Sequence, residues 1–88
     1  PAGVYAARAT ITEQVYPAVV HIGKRPTLKH QEFRIEVHLL AEFDQKPPTT
    51  LEVELVKHLR AVRDFKDTER LKTQIAKDVA EAKRILGA

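Results

Sequence analysis

Residues 33–43 read FRIEVHLLAEF, and their alternation is nearly unbroken. Phe33, Ile35, Val37, Leu39, Ala41 and Phe43 fall on one side of an extended chain. Arg34, Glu36, His38 and Glu42 fall on the other, with Leu40 the lone apolar residue among them. A period of two cannot form an amphipathic helix, whose apolar residues recur at three and four. The stretch therefore predicts a strand with one face on a core, and it commits the chain to a sheet. It also puts Glu36 on the wet face, with Arg34 and His38 at i−2 and i+2, where they can hydrogen-bond a carboxylate or bias its charge. Glutamates on such faces are routine, so pattern alone leaves Glu36 as either a solvated carboxylate or a held base.

The remaining segments supply partners for that strand. Residues 3–11, rich in Val, Tyr and Ala, predict a first strand, and residues 15–22 a second. Thr12, Glu13 and Gln14 between them suit a hairpin connection. Pro17 cannot donate to a ladder, so it is expected at an edge or a bulge. Residues 23–31, GKRPTLKHQ, predict a loop carrying Lys24, Arg25 and Lys29; residues 44–50, DQKPPTT, predict a turn. Residues 51–59 predict a fourth strand with Leu51, Val53, Leu55 and Leu59 on one face, interrupted by Lys57. After residues 60–65 the period changes. Leu71, Ile75, Val79, Ala82 and Leu86 recur at helical spacing, Asp67 is a suitable N-cap, and Gly87 a suitable stop. Asp67 and Glu69 lie near the positive end of the helix dipole, Lys83 and Arg84 near the negative end. Four strands and one helix make either a small sheet or an incomplete barrel, and closure into a barrel is the natural way to remove edges.

Eighty-eight residues with 43% hydrophobic and 31% charged side chains predict one domain with a modest core. The net charge of +3 allows an anionic ligand but falls well short of a nucleic-acid tail. With no cysteine, disulfides, thiolate metal sites and cysteine nucleophiles are excluded. No apolar run approaches the ~18 residues of a membrane span. Methionine is absent even at position 1, so the chain is expected to be part of a longer protein.

GKRPT is not a phosphate loop, because the G-x-x-x-x-G-K-[ST] spacing is missing and no helix follows. His21, His30, His38 and His58 show no compact metal spacing, and no histidine metal site is predicted. From Lys57 through Lys72 six basic residues face three acidic ones, a local net of +3. That is either a solvated helix entry or an anion site flanked by Phe65, an aromatic able to stack on a planar ligand. Nucleic-acid binding is not favoured, since the aromatics are few and mostly in core-like positions.

GVYAARATI, YPAVVHIGKRPTL, FRIEVHLLAEF, LEVELVKHLR and LKTQIAKDVAEAKRIL occur in the order and near the spacing seen in bacterial riboflavin kinases, which the whole chain resembles. The more specific pieces are IGKRPT, EVHLL and the HLR…F entry to the helix. The resemblance implies a mainly β fold, a six-stranded antiparallel Greek-key β-barrel with a C-terminal α-helix, here lacking its N-terminal strand segment. Residues 1–88 would be a single riboflavin kinase-like domain, an excised part of a longer chain. It implies transfer of the ATP γ-phosphoryl group to the riboflavin 5′-hydroxyl, giving FMN, with Mg2+ accompanying ATP. It also implies a cytoplasmic enzyme with a covalently linked N-terminal FAD synthetase domain.

Carried over by motif, the resemblance makes Glu36 the catalytic base, Arg60, Arg63 and Phe65 flavin contacts, and Leu39 and Ala41 nucleotide contacts. The family's Pro-Thr-Ala-Asn motif, whose Thr and Asn bind metal and phosphates, is not in these residues, so the metal ligands stay unassigned. Without it the 88 residues alone are expected to show little kinase activity. Arg25 to Thr27 matches a different, later family stretch. Further departures are KPPTT where a Tyr-Gly turn is usual, His21 for Asn, and Ala61 and Val62 for Pro and Glu. These departures leave a non-catalytic flavin- or nucleotide-binding module as the alternative.

Overall fold

The computed structural model describes residues 2–26, 31–43, 50–65 and 67–87, with backbone alone at positions 25, 26, 31 and 32. Its elements are β1 (Gly3–Ile11), β2 (Gln14–Pro26), β3 (Gln31–Leu39), β4 (Glu52–Arg60) and α1 (Thr68–Leu86). The four strands form one antiparallel sheet in the order β3-β2-β1-β4. Three consecutive strands form a meander, and the fourth returns to lie beside the first, which is Greek-key connectivity. Among the described residues the sheet is open, with β3 and β4 as its edges; the six-stranded closed barrel is not seen there. The expected 44–50 turn and Lys29 lie outside the described residues, Thr50 excepted.

The β1–β2 hairpin turns on Thr12 and Glu13, with φ of 48° and 69°. Two left-handed residues in a two-residue turn match the right-handed twist of the flanking strands. Neither residue suits that region, and Thr is β-branched. Thr12→Asn with Glu13→Gly is therefore expected to raise stability by about 1–2 kcal/mol. Urea midpoints would check it, and an unchanged or lower midpoint would contradict the turn assignment.

The second strand is longer than sequence suggested. Residues 23–26, expected in a loop, extend β2 because β3 pairs with them: Gly23 with Arg34, Lys24 with Phe33, Arg25 with Glu32, Pro26 with Gln31. Polar composition pointed to a loop; the backbone found a ladder. Pro17 lies at a local edge, as expected: it pairs with Arg8 of β1, while the ladder to β3 ends one residue on, at Ala18 and Leu39. Its carbonyl accepts from the Leu40 N–H at 2.8 Å, so its missing N–H faces the same side, just beyond the end of β3. This also explains why β3 stops at Leu39 although alternation runs on to Phe43: the next position faces a residue with no N–H to offer.

β1 is buried on both faces from Gly3 to Ala7, while Arg8 further along is exposed. Tyr5, Ala7, Val20 and Ile22 form a core cluster on one face, with Val37 packed against it. Val4 and Ala6 alternate onto the other face, and α1 packs against β1, β2 and β4. Phe33 and Ile35, expected in the core, are 59% and 63% exposed because their strand is an edge. In β4 the pairing with β1 shifts register twice, between Val4/Tyr5 and Ala6/Ala7. Each bulge flips the side-chain parity. Leu55 therefore pairs with Ala7 while Lys57 pairs with Ala6, so Lys57 does not interrupt the apolar face as expected. The helix ends match expectation. Asp67 accepts from the Glu69 N–H at 2.8 Å, and left-handed Gly87 donates to the Lys83 carbonyl. Of the apolar stripe, Ala82 is buried, whereas Leu71 and Ile75 remain 39% and 46% exposed.

Candidate functional site

Antiparallel register places four residues in one row across the sheet. Glu36 of β3 pairs with His21 of β2, His21 with Val4 of β1, and Val4 with Arg60 of β4. All four line a cleft of about 490 Å³, which also receives Leu71, Ile75, Asp78 and Val79 from α1 and Arg63 and Phe65 from the connection before it. The exposed half of the helix stripe thus has a place: Leu71 and Ile75 form an apolar wall. Glu36 and Arg60 stand at opposite ends of the row, three strand spacings or roughly 14 Å apart along the sheet.

Asp78 is the buried charged side chain at this site, 7% exposed. Arg60 donates to both its carboxylate oxygens, Nε to Oδ1 at 2.9 Å and Nη2 to Oδ2 at 2.8 Å. Gln74 Nε2 adds a third bond to Oδ1 at 3.0 Å. A bidentate guanidinium with further donors is what makes a buried carboxylate tolerable. Arg60 Nη1 donates to the Ala61 carbonyl at 3.1 Å, where the chain leaves β4. The Arg60 and Arg63 guanidinium carbons lie 5.8 and 5.3 Å from the centroid of the Phe65 ring, both within cation–π range.

A second cleft, about 270 Å³, is lined by Lys24, Arg34, Arg63 and Asp64 with His21 and Glu36. Glu36, exposed on its edge strand, therefore borders an apolar, aromatic cleft and a charged one. The buried Nδ1 of His21 has no hydrogen-bond partner among the described residues. No group of three His, Asp or Glu side chains among the described residues could hold a metal ion, so those residues alone do not fit a divalent cation.

The structure brings together Glu36, Arg60, Arg63 and Phe65. It does not bring Leu39 or Ala41 to that cleft: Leu39 alternates onto the face away from Glu36 and pairs with Ala18, and Ala41 follows the strand end. Sequence reasoning missed His21, Asp78, Leu71 and Ile75 as cleft residues. The signal for Asp78 was available, since a carboxylate at position 78 interrupts the stripe between Ile75, Val79 and Ala82.

The family model described as Flavokinase: Riboflavin kinase matches residues 1–86. The chain belongs to the riboflavin kinase family. Among relatives of the family, the bifunctional riboflavin kinase/FMN adenylyltransferase of Bacillus subtilis is 36% identical over 88 residues, covering 96% of this chain and 28% of its own. Those of Escherichia coli K12 and Pseudomonas fluorescens are 35% and 37% identical, over 97% and 94% of this chain. The chain thus spans little more than a quarter of the length of these relatives, 28% for the first two. A solved structure described as a macrolide-efflux protein from Streptococcus pneumoniae superposes with a TM-score of 0.69 at 28% identity, over 88% of this chain and 25% of that one. No described helix is long and apolar enough to cross a membrane. The riboflavin kinase resemblance read from EVHLL and HLR…F thus holds for the chain as a whole.

Proposed function

We propose that this chain is the riboflavin kinase module of a longer flavin-nucleotide enzyme. It transfers the γ-phosphoryl group of ATP to the 5′-hydroxyl of riboflavin, giving FMN and ADP. The observation that carries this reading is the position of Glu36, where an apolar cleft with an aromatic meets a charged cleft that holds Lys24, Arg34 and Arg63 beside Asp64. The first suits a planar ring system with a polyol tail, and the second suits a transferring phosphoryl group. Glu36 is proposed as the base: it takes the 5′-hydroxyl proton as that oxygen bonds to the γ-phosphorus and the bond to the β-bridging oxygen breaks. Arg63 and Phe65 hold the isoalloxazine, with Arg60 behind them. Leu39 and Ala41 are proposed to approach the nucleotide. ATP is proposed to enter with Mg2+ on its phosphates. The parent chain is proposed to carry a linked FMN adenylyltransferase domain and to work in the cytoplasm.

Phe65→Ala tests the ring contact. In the full-length protein it is expected to weaken riboflavin binding about tenfold, the worth of one good aromatic contact. The KM for ATP should stay as it was. Quenching of riboflavin fluorescence reads the first and FMN formation the second. Unchanged riboflavin affinity would remove Phe65 from the flavin site.

A further inference from the structure

We infer that Asp78 is a positioning residue for the flavin subsite, and that Arg60 acts on riboflavin through Phe65 rather than by direct contact. The inference rests on the reading that this cleft takes riboflavin. It starts from an oddity of the helix. Position 78 belongs to the stripe of Leu71, Ile75, Val79 and Ala82, where an apolar side chain would pack without electrostatic cost. A buried carboxylate there is explained by what it holds. Asp78 accepts three hydrogen bonds, two from Arg60 and one from Gln74.

With the bond from Nη1 to the Ala61 carbonyl, three of the five Arg60 N–H groups are engaged inside the protein. The side chain of Arg60 is only 19% exposed. Arg60 is also the last residue of β4, so residues 61–65 leave the sheet with no ladder to fix their course. The clamp from α1 to Arg60, and from Arg60 to Ala61, sets the angle of that departure. Phe65 comes to rest beside the same guanidinium, with Arg63 also in range. Asp78 thus reaches the flavin contacts through one relay: carboxylate, guanidinium, aromatic ring.

The test compares Asp78→Asn, Arg60→Gln, the double variant and Gln74→Ala in the full-length protein. Riboflavin Kd comes from fluorescence quenching, and KM for each substrate from steady-state kinetics. Asp78→Asn and Arg60→Gln are each expected to weaken riboflavin binding about tenfold, with the ATP KM unchanged. The double variant should be no worse than either single one, because both break the same relay. A direct contact from Arg60 predicts otherwise: Arg60→Gln would impair riboflavin binding while Asp78→Asn left it intact, and that result overturns the inference. So does a parallel loss of ATP and riboflavin affinity, which marks a general fold defect. Should Asp78→Asn fail to fold, Gln74→Ala removes only the third bond and is expected to raise the riboflavin Kd severalfold at constant ATP KM; no change would overturn the inference. Wild-type protein that neither binds nor phosphorylates riboflavin would overturn the functional reading and the inference together. An active wild type with an indifferent Asp78→Asn overturns the inference alone.

Discussion

Replacing Glu36 by glutamine is expected to slow FMN formation by about 10²–10⁴-fold, the usual worth of a positioned general base. Glutamine keeps the size and a hydrogen-bond acceptor but cannot take the proton from the 5′-hydroxyl. Riboflavin binding should change by no more than about twofold, because the proposed ring contacts are residues 63 and 65. The outcome would be a fall in kcat with little movement in KM, measured in the full-length protein by ATP-dependent FMN production. Wild-type turnover in Glu36→Gln would end the assignment of the base. The position of Glu36 on an edge strand suits the role. It borders both clefts and is exposed.

Gly3→Ala is expected to destabilise the fold by about 2–4 kcal/mol, combining backbone strain with overpacking. Gly3 has φ of +152°, a conformation that L side chains rarely adopt. A Cβ placed there would lie 2.6 Å from His58 Nε2, 2.8 Å from His58 Cδ2 and 3.3 Å from the Arg60 carbonyl oxygen. The His58 ring packs edge-on against Tyr5 at 5.1 Å, and Tyr5 belongs to the core cluster. The new methyl must therefore displace a ring that the core uses, or move the end of β4 where Arg60 is anchored. Gly87→Ala is the control. It is also left-handed, with φ of +71°, but nothing lies within 4 Å, so only a conformational cost of about 1 kcal/mol is expected. Urea unfolding of both variants checks the contrast, and equal losses would contradict the steric account.

Local signals were legible where the chain's own chemistry decides the outcome. The bounds of β1 and both caps of α1 followed from a run rich in Val, Tyr and Ala, from Asp67 and from Gly87. Signals failed where a neighbouring strand decides. Residues 23–26 became strand because β3 lies alongside them, and β3 ended early because Pro17 lies opposite its next residue. The parity of Lys57 depends on bulges against β1, which no property of residues 51–59 announces. Phe33 and Ile35 alternate correctly yet stay exposed, since alternation names a face without saying what covers it.

The candidate site divides the same way. Motif order in the chain singled out Glu36, Arg60, Arg63 and Phe65, and with them the family. Side-chain chemistry and short-range spacing are properties of sequence, so a carboxylate between Arg34 and His38 and an aromatic after paired arginines could be read directly, and the family resemblance then pointed to Glu36 as the expected base. The row from Glu36 through His21 and Val4 to Arg60 could not, because it exists only through the register of three strand pairs. Nor could the engagement of Arg60 by Asp78, eighteen positions away. Which donors face a ligand and which are held inside the protein depends on packing between sheet and helix, and only the tertiary structure decides that.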